Sequence, residues 1–119
     1  MQRVVLRAKI HRATVTDADL AYEGSCSLDA ELMQAAGIVA GEQLHVVNVS
    51  NGSRAVTYAI EGSPGQVGLN GGMAHIGSPG DTVIVVAYAH LSDAELATHR
   101  PLVVHVDSAN HVREEVTVS

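Results

Sequence analysis

The five residues Tyr22-Glu23-Gly24-Ser25-Cys26 hold the bond with the most unusual chemistry open to it in this chain. Gly24 carries no Cβ, so its backbone can reach strained conformations and its carbonyl carbon is open to approach. Ser25 sets a hydroxyl beside that carbonyl. In a held, distorted Gly-Ser bond the hydroxyl can attack the preceding carbonyl, which is an N→O acyl shift. β-Elimination from the ester and hydrolysis of the resulting dehydroalanine leave a pyruvoyl group. A ketone of that kind condenses with amines and then accepts electrons, as pyridoxal phosphate does. The same dipeptide is ordinary turn chemistry, and the rest of the chain must choose between the two.

Three further groups of residues could serve such a centre. Lys9 and His11 alternate with Ala8 and Ile10 and so share the polar face of a strand, which also fits a solvated outer face. Arg54 and Tyr58 share the face of another strand with Cα atoms ~13 Å apart, near enough for long side chains to lean toward one ligand. An edge arginine and an ordinary cross-strand tyrosine give the same pattern. The run Asn70-Gly71-Gly72-Met73-Ala74-His75 can gather backbone N–H groups, admit a second backbone closely, or simply turn. The seven histidines are scattered without metal-ligand spacing, so no metal site is expected. There is no Gly-x-Ser-x-Gly elbow and no Walker or Rossmann fingerprint. Cys26 reads as a small buried side chain.

The elements that must position these groups come from a chain of 119 residues with net charge −6, a length that suits one domain and a charge that argues against nucleic acid as a partner. No apolar run is long enough to span a membrane, and the first residues do not have the pattern of a signal peptide. With one cysteine no disulfide can form within the chain, and a cytoplasmic protein is the simplest reading. Tyrosine is the only aromatic residue, so the core must be aliphatic, and the many valines favour strands. Small cores of this kind gain from oligomerising.

Six strands are predicted, over 4–16, 43–49, 54–61, 67–69, 82–89 and 102–107. A helix is expected over Ala30 to Ala36, with Asp29 as N-cap and Gly37 just past its end. A second helical turn should open at the capping box Ser92-Asp93-Ala94-Glu95 and run to about Thr98. Asn51-Gly52 predicts a hairpin with positive φ at both central residues. Asp17-Ala18-Asp19 reads as a turn, and the tail after Asp107 as polar. Many short strands in a short chain suggest a closed barrel.

At this point a resemblance can be stated. The segments Lys9–Thr16, Asp19-Leu20, Tyr22–Ser25, Asn51-Gly52 with Arg54, Thr57–Ile60, Asn70-Gly71 and Ala74-His75 stand in the order and spacing of the pyruvoyl-dependent L-aspartate α-decarboxylase family. The chain resembles that family along nearly its whole length. The resemblance implies an all-β fold, a six-stranded double-psi β-barrel with short helices, forming one domain over 1–119. It implies self-cleavage between Gly24 and Ser25 into chains 1–24 and 25–119, with a covalent pyruvoyl cofactor made from Ser25. The implied activity is conversion of L-aspartate to β-alanine and CO₂ for pantothenate synthesis, by a homotetramer with its sites between subunits. Carried over residue by residue, Lys9 and Arg54 would bind the substrate carboxylates and Tyr58 would protonate the carbanion. Thr57, His11 and Tyr22 would support processing or the site, and Asn70, Gly72 and Met73 would line the pocket. No pattern assigns a helper protein for processing.

The chain departs from the family in places. The loop from Glu61 to Val67 is slightly short, Gly72 and Met73 replace what are usually alanines, Val47 stands where some members carry a large aromatic, and the tail is short. None of these touches Gly24, Ser25, Lys9, Arg54 or Tyr58. Two other readings compete with the decarboxylase. One is a non-catalytic β-barrel module in which Gly24-Ser25 is only a turn. The other is an autoprocessing hydrolase that stops at the ester or at a free Ser25.

Overall fold

The computed structural model describes Met1–Val118; Ser119, the last residue of the expected larger chain, lies outside the described residues. In chain order the elements are β1 (Gln2–Thr14), β2 (Asp17–Asp19), β3 (Ser25–Asp29), α1 (Ala30–Ala36), β4 (Gln43–Asn48), β5 (Arg54–Gly62) and β6 (Val67–Asn70). A short 3-10 turn (Gly71–His75) follows, then β7 (Thr82–Ser92), α2 (Asp93–Leu96), β8 (Leu102–Val106) and β9 (Val112–Thr117). The strands pair in the order β2-β6-β3-β5-β4-β7-β1-β8-β9.

The fold is all-β, as the valine-rich sequence predicts. Nine strands stand where six are expected among the described residues. The six read from the sequence are all present, and β2, β3 and β9 are additional. Each lacks a local signal for a physical reason. β2 is Asp-Ala-Asp, a turn composition held extended by its parallel ladder to β6. β3 is buried on both faces, so it shows no polar–apolar alternation. β9 is mostly exposed and rests on its ladder to β8.

The core is aliphatic, built on Ile10, Leu28, Leu32, Leu44, Val46, Leu69, Val85 and Val104. Tyr22, Tyr58 and Tyr88 are all exposed, so no aromatic ring contributes to it. The face of β1 switches twice. Leu6 pairs with Tyr88 and Ala8 with Ala87, which leaves Arg7 as an extra residue. A second shift lies between Ile10 and Ala13, where Arg12 has φ 59°. The inward residues are therefore Ala8 and Ile10 before it and Ala13 and Val15 after it. The strict alternation expected from Leu6 onward holds only between the two bulges.

Helix α1 forms as its caps predict. The Asp29 carboxylate accepts from the Glu31 N–H at 2.8 Å, and Gly37 closes the helix at φ 68°. Arg7 donates to the terminal carbonyl of Ala36 at 3.1 Å and pairs with Glu42. Helix α2 opens on the full Ser92–Glu95 capping box but ends at Leu96, short of Thr98. The β4–β5 connection differs from the expected two-residue hairpin. Asn48 N–H donates to the Ser53 carbonyl and Gly52 N–H to the Asn48 carbonyl, and only Gly52 has positive φ, at 79°. The Asn48 side chain accepts from the N–H of Ser50 at 2.8 Å, so it holds the wider loop from inside.

Candidate active site

Residues paired across a ladder lie on one side of a sheet, so the register sorts the strands into an inner and an outer face. Ile10 pairs with Val85, Val85 with Val46, and Cys26 with Ala59; all are buried on the inner face. The outer face begins with Asn70 paired to Ser25. Ser25 and Tyr58 each stand one residue before the Cys26–Ala59 pair. Arg54 is opposite Val47, and Lys9 joins the same face through Val86 and His45. His11 follows two residues later, opposite His105. The sequence pairs Lys9 with His11 and Arg54 with Tyr58; the register adds that both pairs and Ser25 share one face.

Sharing a face does not bring them together. Lys9 is four strands from Ser25 in the sheet order, roughly 19 Å measured along the sheet. Arg54 is exposed, beyond the part of β5 that β3 covers. The residues that do converge surround residue 25. Gly24, Thr57, Tyr58, Gly72 and Met73 line an open cleft of ≈ 400 Å³ beside it. Thr57 comes from the inner parity of β5, opposite Leu44, and reaches this cleft where β5 runs past the end of β3. Tyr58 is 38% exposed. Gly72 and Met73 belong to the first turn of Gly71–His75, whose leading N–H groups have no acceptor within the turn.

Ser25 is fully buried. Its hydroxyl donates to the Glu23 carbonyl at 2.9 Å and accepts from the Asn70 amide at 3.0 Å. The same amide nitrogen donates to the Ser27 hydroxyl at 2.8 Å. Tyr22, Ser27 and Asn70 also line a second, polar cavity of ≈ 460 Å³ with Asp17, Asp19 and Glu61 on its wall. Tyr22 is thus on the wall of this second cavity and not among the residues that line the cleft with Tyr58.

The structure puts a close backbone approach at Gly71 rather than a positive φ or tight packing at Gly24. Gly24 has no positive φ, and a Cβ built on it would touch nothing within 4 Å. Gly71 is the constrained glycine: its φ is 62°, and a Cβ there would lie 2.7 Å from the Gly24 nitrogen and 2.9 Å from the Tyr22 carbonyl oxygen. The glycine run therefore admits another backbone, one of its three readings, and that backbone is the Tyr22-to-Gly24 segment just before Ser25. Gly71 and Ser27 are the residues that sequence reasoning missed. Gly71 was signalled by the run, whereas nothing local marked Ser27. At Gly72 a Cβ would meet nothing within 4 Å, so the alanine usual in the resembled family fits there.

His11 lies edge-on to His105 with ring centroids 5.4 Å apart, and its buried Nδ1 has no partner among the described residues. Burial, then the charge of Lys9, then His105 and Arg12, hold its pKa below the ordinary histidine value. Burial pushes the Cys26 thiol up to about 12, so this cysteine is inert. Among the described residues no three His, Cys, Asp or Glu side chains group as metal ligands would, and no helix is long and apolar enough to cross a membrane.

Comparison with known proteins bears on what this arrangement is for. A model of the aspartate decarboxylase family matches residues 1–113. The chain is similar to the aspartate 1-decarboxylase of Mycolicibacterium smegmatis, with 60% identity over 94% of this chain and 84% of that protein. It is 56% identical to aspartate 1-decarboxylase 1 of Gloeobacter violaceus, over 94% of this chain and 97% of that one. With the aspartate 1-decarboxylase of Herminiimonas arsenicoxydans it shares 50% identity over 93% and 95% of the two chains.

Proposed function

The chain belongs to the aspartate decarboxylase family, and on that premise we propose that it cleaves itself between Gly24 and Ser25 and then converts L-aspartate to β-alanine and CO₂, supplying pantothenate synthesis. The observation that carries the reading is the state of Ser25: buried, oriented through both Glu23 and Asn70, and next to a glycine whose backbone lies too close to Gly71 for a side chain there. In processing, the Ser25 oxygen bonds to the Gly24 carbonyl carbon and the Gly24–Ser25 C–N bond breaks, giving an ester and a free amine. Elimination then releases the Gly24 carboxylate and leaves dehydroalanine. Hydrolysis expels ammonia and leaves the pyruvoyl ketone at the head of chain 25–119.

The residues around position 25 fit that group. It is small, and Asn70 and the first N–H groups of the Gly71–His75 turn offer donors to carbonyl oxygens beside it. Bound there, a pyruvoyl ketone supplies a sink for the electrons left when CO₂ departs. The chain's own side chains do the rest. Arg54 holds the retained carboxylate, for which its planar fork is suited. Lys9 neutralises the substrate's other carboxylate. Tyr58, at the cleft and in register with Ser25, returns a proton to the carbon that lost CO₂. Thr57 and His11 support processing or the substrate site, and Gly72 and Met73 close the cleft wall. The separation of Lys9 from Ser25 supports a site completed by a second subunit of a homotetramer. One buried, unreactive cysteine fits a cytoplasmic setting.

Denaturing mass spectrometry tests the reading. The purified protein should resolve into chains 1–24 and 25–119, the larger blocked at its N-terminus. Ser25→Ala should remain one chain and make no β-alanine. Cleavage of Ser25→Ala at the same bond would rule out the acyl shift. A free N-terminal serine without carbonyl reactivity would favour the hydrolase instead.

A further inference from the structure

We propose that Ser27 is a positioning residue for self-cleavage: it fixes the Asn70 amide in the one orientation that leaves the Ser25 oxygen ready to attack. The proposal rests on the reading of Ser25 as a self-processing nucleophile. It is carried by the hydrogen bonds around Asn70. Ser25 has one hydroxyl proton, and that proton is given to the Glu23 carbonyl at 2.9 Å. The bond between Asn70 and Ser25 must then run from the amide N–H to the serine oxygen, so the Asn70 nitrogen has to face Ser25.

An asparagine amide has two nearly isosteric orientations, chosen only by its partners. Ser25 alone does not choose. A flipped amide could offer its carbonyl to the Ser25 hydroxyl, which would swing its proton from Glu23 to Asn70. Ser27 breaks the tie. Its hydroxyl lies 2.8 Å from the same Asn70 nitrogen, so each of the two amide protons has its own acceptor, one on each serine. Ser25 and Ser27 are both on the outer face of β3, two residues apart, and all three side chains are at least nine-tenths buried. Water therefore competes little for the amide. A serine hydroxyl can also donate, and a free Ser27 proton would suit the flipped amide equally. But Ser27 shares the wall of the ≈ 460 Å³ cavity with Asp17, Asp19 and Glu61, whose carboxylates offer that proton acceptors other than Asn70, so Ser27 meets the amide with a lone pair. With the amide fixed, one lone pair of the Ser25 oxygen takes the Asn70 N–H and the other remains for the Gly24 carbonyl carbon. Ser27 forms no bond to the reacting atoms and changes none of the bonds made or broken.

The test follows cleavage by denaturing mass spectrometry on freshly made protein, with thermal melts on the same samples. Ser27→Ala should slow cleavage by roughly 10- to 100-fold, the scale of a misplaced reacting group. Ser27→Cys keeps the volume but accepts hydrogen bonds weakly, and it should be slow as well. Ser27→Thr keeps the hydroxyl and should cleave within about 3-fold of wild type, a rescue that packing alone does not predict. In an Asn70→Ala background, Ser27→Ala should add no further slowing, because Ser27 acts only through Asn70. The proposal falls if folded Ser27→Ala or Ser27→Cys cleaves at the wild-type rate, or if Ser27→Ala slows both backgrounds equally. A wild-type chain that stays intact overturns the processing reading and this proposal with it. A wild-type chain that cleaves while Ser27 variants are indifferent overturns this proposal alone.

Discussion

At the residue scale, the proposed chemistry divides between making the ketone and using it. Ser25 is hydrogen-bonded to Asn70, and Gly71 packs against the backbone of Gly24, before any substrate is present. Arg54 and Tyr58 make no hydrogen bond to Ser25, so processing should not need them. Arg54→Lys keeps the charge and loses the planar fork. We expect complete cleavage and a KM for aspartate raised roughly 10- to 150-fold, as for a charge-assisted hydrogen bond worth about 1.5–3 kcal/mol. Tyr58→Phe keeps the ring on the cleft wall and removes the acid. Its kcat should fall about 10²- to 10⁴-fold with cleavage unchanged. Turnover and cleavage measured on one preparation check both variants. Full cleavage of Tyr58→Phe with wild-type turnover would reduce Tyr58 to an ordinary strand tyrosine.

At the element scale, the Gly71–His75 turn packs against the backbone of Gly24, beside the bond proposed to be cleaved. Gly71→Ala combines a left-handed φ with a methyl 2.7 Å from the Gly24 nitrogen, and backbone rather than a flexible side chain would have to move. Overpacking of this sort costs about 1–3 kcal/mol, so both the melting temperature and the cleavage rate should fall. Gly72→Ala is the matched control: its methyl meets open space, and stability should change by no more than about 0.5 kcal/mol, with cleavage unaffected. Equal behaviour of the two variants would separate cleavage from the packing of Gly71.

The turn before β7 makes a different prediction. The Asp81 carboxylate accepts from Asn48 at 3.0 Å and from the Ser78 N–H at 3.0 Å, and the Asn48 bond is the main reason its pKa is lowered. A carboxyl with a lowered folded-state pKa stabilises the fold above its unfolded pKa. That contribution disappears as pH falls through the folded value. Melting temperatures recorded from about pH 7 to about pH 3 should therefore drop less steeply for Asp81→Asn than for wild type. Parallel curves would assign the acid sensitivity to other groups such as Glu95 and Asp107, whose pKa values are also lowered.

At the scale of the whole molecule, the chain leaves apolar side chains open on its outer face. Val56 is 58% exposed and Val4 63%, with Tyr58 and Tyr88 also open on this side of the sheet. An apolar face of this kind is expected to meet another surface. Light scattering should report a tetramer. Complementation probes the proposed sharing of the site more directly. Lys9→Ala and Ser25→Ala protomers are each expected to be inactive, but co-assembled hybrids should regain activity, because one supplies residue 25 and the other Lys9. Hybrid activity no greater than that of the parents would place the whole site within one protomer.

The sequence by itself determined whatever depends on neighbours in the chain. Helix α1 and its caps at Asp29 and Gly37, the capping box at Ser92, and six of the strands were legible because propensity, capping and apolar alternation are local. The order of family segments around Gly24-Ser25 identified the candidate residues without showing where they stand. Only the tertiary structure decided the rest. β2 is extended because β6 lies beside it, and β3 was hidden because burial on both faces erases alternation. The bulges at Arg7 and Arg12 reset which side chains of β1 face outward, and no residue count predicts them. Sheet register put Lys9, Arg54, Tyr58 and Ser25 on one face while keeping Lys9 far from Ser25. It also moved the backbone constraint from Gly24 to Gly71, because that constraint is a contact between segments 47 positions apart. A contact at that separation leaves no periodic trace in the sequence.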